Sequence, residues 1–514
     1  MQSSHELLEF LEHSLKNLDA GTLASMAESL AEQARAGREQ HPDQPDFVRL
    51  EAQFLDVAIL EAEKSHDFAR QAQLLSDVAE LPDNESHAPA RRLESGRAWV
   101  KAGRMLAASK QLRLAAESAA AIQDTPTRVQ AEVEEAILQL NAEEDVPKAV
   151  ARTTPVGERA LAIGAVRACL DLARAECRAL LWAGHLKEAT LRVKSAIEHA
   201  PETSQAHRYL MATRAVVWGK QGKPADALEL AGLAIGDHEP EGETLEALGQ
   251  VYAGCGQHSK ARELWDQAVD FYHERADRFG KARISFLQAR LRVLEARWAD
   301  VEAPLSMAEA EFRTLGHAVC LAQSELLRAE MLVGLGNRSE AEQQLTRLLN
   351  SRAVQSSLAL SCNAHEIAGD LLRGAKLYKP ALAEYARARD AAAAAGMRRE
   401  HARGALNCAH MHFSLNEMAL AETQAMLARA LVRRSFGEGL IEFVEANLAL
   451  ARVRLKRGDL ANARKWTIDA LEAGEDLDLL ENSHALRTTT LIHDMRRMED
   501  LVAAAESNAR KTKT

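Results

Sequence analysis

The chain has 514 residues, 47% of them hydrophobic, 27% charged and only 4% aromatic, with 12 Pro and 27 Gly. This composition describes a folded chain of closely packed helices and suits strands poorly. Sixty-four Lys and Arg against 75 Asp and Glu leave a formal charge of −11, which argues against duplex DNA or an anionic membrane as the main partner, because phosphate binding wants net positive charge.

In chain order, HELLEFLEHSLKNL and TLASMAESLAEQARA predict two amphipathic helices forming an N-terminal helical cap over residues 1–45. HPDQPDF (His41–Phe47) reads as the linker into a repeat array. The repeated unit fills residues 46–482. Its clearest copy is LEALGQVYAGCGQHSKARELWDQAVDFYHE (Leu245–Glu274). Leu245, Leu248, Gly249 and Tyr252 share one helical face, GCGQ breaks the helix, and Ala261, Trp265 and Ala268 share a face of a second helix. The unit is therefore a helix–turn–helix hairpin in which Gly249 and Ala261 let two backbones approach. With Ala261 as a register mark, equivalent positions are Ala69, Ala108, Ala149, Ala189 and Ala227 before it and Val301, Ala341, Ala381, Ala421 and Ala463 after it, at steps of 34 to 42 residues. That makes eleven hairpins. ARTTPVGERALAIG, around Pro155, interrupts the array as a plain loop, a kink or a hinge. SHALRTTTLIHDMRRMEDLVAAAESN forms a C-terminal cap within residues 483–514, and the tail ARKTKT is frayed.

Motifs that carry chemistry are missing. His365-Glu366 lacks the second histidine of a zinc-binding His-Glu-x-x-His helix, WGKQGKPAD is an inter-helix turn rather than a phosphate loop, and no Gly-x-Ser-x-Gly elbow occurs. The six cysteines lie apart in helical stretches, as in a reduced cytoplasmic protein. Catalytic residues, metal and cofactor are expected to be none. No apolar run approaches the ~18–20 residues that span a bilayer, and the acidic start does not read as a signal peptide.

Leu248-Gly249-x₂-Tyr252…Ala261-x₃-Trp265…Ala268 and Gly96-x₂-Trp99…Ala108-x₃-Leu112…Ala115 resemble the tetratricopeptide (TPR) pattern, in a longer-repeat form with a step near 40 residues. The resemblance implies an all-α, right-handed α-solenoid of stacked antiparallel helix hairpins, about eleven repeats between helical caps. It also implies a concave groove lined by the first helix of each hairpin, one residue after and three before its small residue. Those positions give Arg97, Arg174, Arg178 and Arg290 as a local cationic stretch. Arg174 and Arg178, one turn apart, are placed to clamp a carboxylate, and Phe286 offers an apolar anchor. Glu330, Glu366 and Asp370 turn the groove acidic further along. The expected function is a protein–protein interaction scaffold or adaptor that holds a protein or peptide segment, acidic in part, in the groove. The alternative is a sensor or regulatory subunit acting on an effector on another chain, as in large bacterial regulators. A nucleic-acid binder using the arginine face comes third.

Overall fold

The structure, a computed structural model, describes residues 4–82, 85–235, 239–295, 297–436, 441–479 and 486–511; apart from turns they are helical, with no strand. Two compact units divide the chain, the first formed by residues 1–139, 152–172 and 314–316 and the second by 140–151, 173–313 and 317–514.

The first unit holds α1 (Ser4–Asn17), α2 (Ala20–Gln40), α3 (Pro45–Lys64), α4 (Phe68–Ala79), α5 (Ala88–Lys101) and α6 (Met105–Ala121), with most of α7 (Thr125–Ala142) and α8 (Val146–Ala162). The second takes the larger part of α9 (Val166–Trp182) and then α10 (Leu186–His199), α11 (Gln205–Lys220), α12 (Pro224–Ile235), α13 (Gly242–Gly254) and α14 (His258–Glu274). It continues with α15 (Arg278–Leu294), α16 (Glu302–Leu315), α17 (Ala318–Gly334), α18 (Arg338–Leu349), the five-residue α19 (Arg352–Ser356), α20 (Leu358–Gly374) and α21 (Tyr378–Ala395). It closes with α22 (Arg398–Ser414), α23 (Met418–Phe436), α24 (Ile441–Lys456), α25 (Leu460–Leu479) and α26 (Leu486–Lys511). Eleven hairpins run from α3/α4 to α24/α25, so the chain is an all-α, TPR-like solenoid.

The register marks explain the stacking. Ala108, Ala189, Ala227, Ala261, Ala341, Ala381, Ala421 and Ala463 are all 0% exposed, so these second helices bury a small residue at the register position, which Val301, also 0% exposed, fills just before α16. The partner position twelve residues earlier is equally tight. A Cβ added to Gly96 would lie 2.8 Å from Leu112, one on Gly369 would lie 2.5 Å from Tyr385, and one on Gly249 would overlap the Trp265 indole. These large side chains occupy the volume the glycines leave. The GCGQ turn connects α13 to α14, with Gly256 at φ +81°, a conformation that suits glycine.

Several expectations need correction. Ala69 is only half-buried, and the fully buried contact in α4 is Ala72; the first hairpin is thus three residues out of the assumed register. His41–Phe47 is no linker, because α3 begins at Pro45 and Phe47 is fully buried. Pro155 makes no loop and lies inside α8. Its missing N–H and ring clash cost about 3 kcal/mol in a free helix, but Ala149 before it and Ala160 after it are buried, and packing overrides local propensity. The division between the units falls at 151/152 of this same helix. ARKTKT does not fray from Ala509, since α26 reaches Lys511; residues 512–514, and the 480–485 stretch where the C-terminal cap is expected to begin, lie outside the described residues. Within α26, Leu491, Met495, Met498 and Val502 are buried against the last hairpin.

Candidate partner-binding cavity

In the second unit the first helices of successive hairpins line a cavity of about 540 Å³. Phe286, Leu326, Leu406 and Leu448 give it apolar walls, with Trp298 beside them, while Arg290, Glu330, Glu366, Asp370, His410 and Arg452 bring charge and polarity. Five of the eight residues singled out from sequence therefore meet here: Phe286, Arg290, Glu330, Glu366 and Asp370. Phe286 is buried and its ring lies 5.3 Å from that of Trp182.

The other three do not form a cationic surface. Arg97 pairs with Glu134 on α7, its Nε donating to Oε1 at 2.9 Å. Arg174 and Arg178 do clamp a carboxylate, but it is Glu243 on α13: Arg178 Nη1 donates to Oε1 at 2.6 Å and Arg174 donates to Oε2. Burial opposes the Glu243 charge, yet the two guanidiniums outweigh it and hold the carboxyl down at about 2. A neighbouring network is sealed further. Arg283 and Glu246 are 1% and 4% exposed. Arg283 Nε donates to Glu246 Oε2 at 2.8 Å and its Nη2 to the Tyr272 hydroxyl at 3.0 Å. Glu246, three residues before Gly249 and so at a position expected to line the groove, faces a buried arginine instead.

Within the cavity most charges are already matched. Arg403 Nη2 donates to Glu366 Oε2 at 2.6 Å, Arg373 Nη2 lies 2.8 Å from Asp370 Oδ1, and Arg452 Nη2 donates to Asp494 Oδ2 at 3.0 Å. The Tyr385 hydroxyl donates to Asp370 at 2.7 Å. Burial, then Arg452 and Arg373, push His410 down to about 4, so it is neutral at pH 7. Arg290 and Glu330 make no hydrogen bond or ion pair with any described residue. Glu330 is open to the cavity, yet enclosure by the surrounding helices and then the Glu366 carboxylate push it up to about 7.

Sequence reasoning overlooked Gln323, Asn363 and Arg403. Each stands six residues before the small residue of its helix (Ala329, Gly369, Ala409), as Glu243 and Arg283 do before Gly249 and Ala289. Extending the groove face by one more turn toward the helix N-terminus would have found all five.

The wall of this unit is fastened by a long-range clasp. In the turn after α9, the Ala183 carbonyl accepts from Ser357 Oγ at 3.0 Å and from the Ala359 N–H at 3.3 Å. Gln323 Nε2 donates to the Trp182 carbonyl at 2.6 Å, and His185 Nε2 lies 3.2 Å from the Ser356 carbonyl. Gly184, at φ +76°, sits where a Cβ would be 2.6 Å from that of Ala359.

Among solved structures, the chain is similar to the APC/C hetero-tetramer Cut9–Hcn1, at 13% identity over 94% of this chain and 97% of that one, with a TM-score of 0.46. It is also similar to a Rap protein complexed with Competence and Sporulation Factor (13% identity, 65% and 99% covered, TM-score 0.47) and to the apo form of RapI (12%, 64% and 98%, TM-score 0.36). No protein-family model matches the chain, and no curated protein does.

Proposed function

We propose that this chain is a protein-interaction scaffold that holds a peptide segment of a partner in the cavity of its second unit. The observation that carries this reading is the cavity itself, about 540 Å³ with apolar walls and a few polar groups presented by one face of successive first helices, the character of a ligand site rather than of a packing defect. The reading includes no catalytic step. Among the described residues no group of three His, Cys, Asp or Glu is placed to hold a metal ion. Cytoplasmic residence belongs to the same proposal, supported by six cysteines that are all free thiols, and no described helix is long and apolar enough to cross a membrane.

A regulatory reading has an observation of its own. Phe286 and Gln323 line the cavity and also hold the clasp, through Trp182. A ligand that touches them would bias the clasp, which is how a binding subunit transmits occupancy. Affinity capture with the wild type, with Asn407→Trp to fill the cavity, and with Leu191→Ser on an exposed outer helix tests the primary reading. A partner kept by wild type and Leu191→Ser but lost by Asn407→Trp supports it, and one kept by all three moves the site elsewhere. Slower or faster amide exchange at Ala359 on partner binding would support the regulatory reading.

A further inference from the structure

The ion pairs above cancel most of the cavity's charge and leave a residue of each sign. Arg290 on α15 and Glu330 on α17 occupy the same repeat position, one residue after Ala289 and Ala329, on inner helices that touch. Each faces charge of its own sign as well as the opposite one, since Arg290 lies near the carboxylates of Glu330 and Glu400. Arg290 lies close enough to Lys220 to lower that lysine's pKa, after burial, and both line two side chambers of about 140 and 30 Å³. Glu330 faces the carboxylates of Glu366 and Asp370 from α20, with Arg403 of α22 and Arg290 of α15 as the opposing cations. An interior that brings like charges together and leaves two of them outside any hydrogen bond or ion pair with a described residue has donors and acceptors to spare for a ligand. Glu400 is better compensated: although burial raises it, Lys220 and Arg403, with Arg290 after them, hold its carboxyl below the usual range.

Resting on the cavity reading above, we propose that the occupant is zwitterionic: a short peptide with both termini free, its amine at Glu330 and its carboxylate at Arg290. Guanidinium suits a carboxylate because it offers paired donors. A terminal ammonium is compact and fits a carboxylate already flanked by acids. The volume suits a short peptide and excludes a folded domain, so a partner protein would enter only as a cleaved fragment.

The test uses the full-length protein and a synthetic pool of random pentapeptides in three forms: unblocked, N-acetylated and C-amidated. Bound peptide is measured by native mass spectrometry for wild type, Glu330→Gln and Arg290→Gln, with circular dichroism confirming the fold of each variant. The expected result is retention of the unblocked pool by wild type and about tenfold or greater weakening by either block, the effect of losing a charged hydrogen bond. Glu330→Gln then no longer distinguishes acetylated from free peptide, and Arg290→Gln no longer distinguishes amidated from free. Equal retention of all three pools overturns the zwitterion and leaves the cavity as a site. Retention of none overturns the ligand class, and the Asn407→Trp capture then decides separately whether the cavity binds at all. If a variant misfolds, comparison of the three pools on wild type still decides.

Discussion

Replacing Glu243 with Ala should be among the most damaging single changes in the second unit. Its carboxylate is the counter-ion of Arg174 and Arg178, whose side chains are only 17% and 15% exposed. Removing one partner of such a cluster typically costs ~3–5 kcal/mol, because charge stays behind in a dry place. The carboxyl itself gives an independent figure. Its pKa falls from 4.5 to about 2, and at ~1.36 kcal/mol per unit the folded state favours the ionised form by about 3 kcal/mol. The sign follows from linkage: a carboxyl depressed on folding contributes stability that is fully present above pH 4.5 and fades as the pH drops toward 2. In a repeat protein the loss is best read locally, since hairpins open in part. Amides of α9 and α13 in Glu243→Ala should exchange about a hundredfold faster than in wild type at pH 7, the equivalent of ~3 kcal/mol. The gap should shrink on acidification below pH 4. Acceleration of less than about fivefold, near 1 kcal/mol, would refute the view that this clamp is a stabilising closed unit.

Three further outcomes are expected from the geometry. Gly249→Ala drives a Cβ into the Trp265 indole and should cost about 1–3 kcal/mol, read as a lower thermal midpoint and altered tryptophan fluorescence; Gly254→Ala, with nothing within 4 Å of its added Cβ, is the control and should be neutral or better. Gly184→Ala combines a positive φ with a close approach to Ala359 and should speed exchange of the Ala359 amide while leaving α24 and α25 as they were. Binding of an unblocked peptide should weaken as the pH falls through about 7, where Glu330 takes up a proton, by roughly tenfold between pH 7.5 and 6. The dependence should vanish in Glu330→Gln; a slope that survives the substitution assigns it to another group.

The hairpins are readable because close helix contact admits only small side chains, so the environments of Ala261 and Gly249 recur along the array. The groove face is readable for the same reason, one helical face following from one register mark. What sequence periodicity does not carry is pairing. Arg178 and Arg290 look alike in the repeat, yet one is clamped to Glu243 from a hairpin two steps away and the other makes no hydrogen bond or ion pair with a described residue, and only the stacked geometry distinguishes them. Pro155 misleads because a local rule applies poorly where burial on both sides prevails. The clasp is invisible because Gly184 and Ser357 obey no common spacing.

That clasp also imposes a timetable. Neighbouring hairpins pair as soon as ~40 residues have emerged, but Ser357 and Ala183 are 174 residues apart. At the usual pace of synthesis, ~5–20 residues per second, the α9–α10 turn waits roughly 10–35 s for its mate. Until then the inner charges stand in water and no cavity exists. A ligand therefore meets a finished chamber only on a chain made past Leu491 and Asp494 of α26, which also line it, and a product truncated before Ser357 would carry much of the solenoid with nothing to hold.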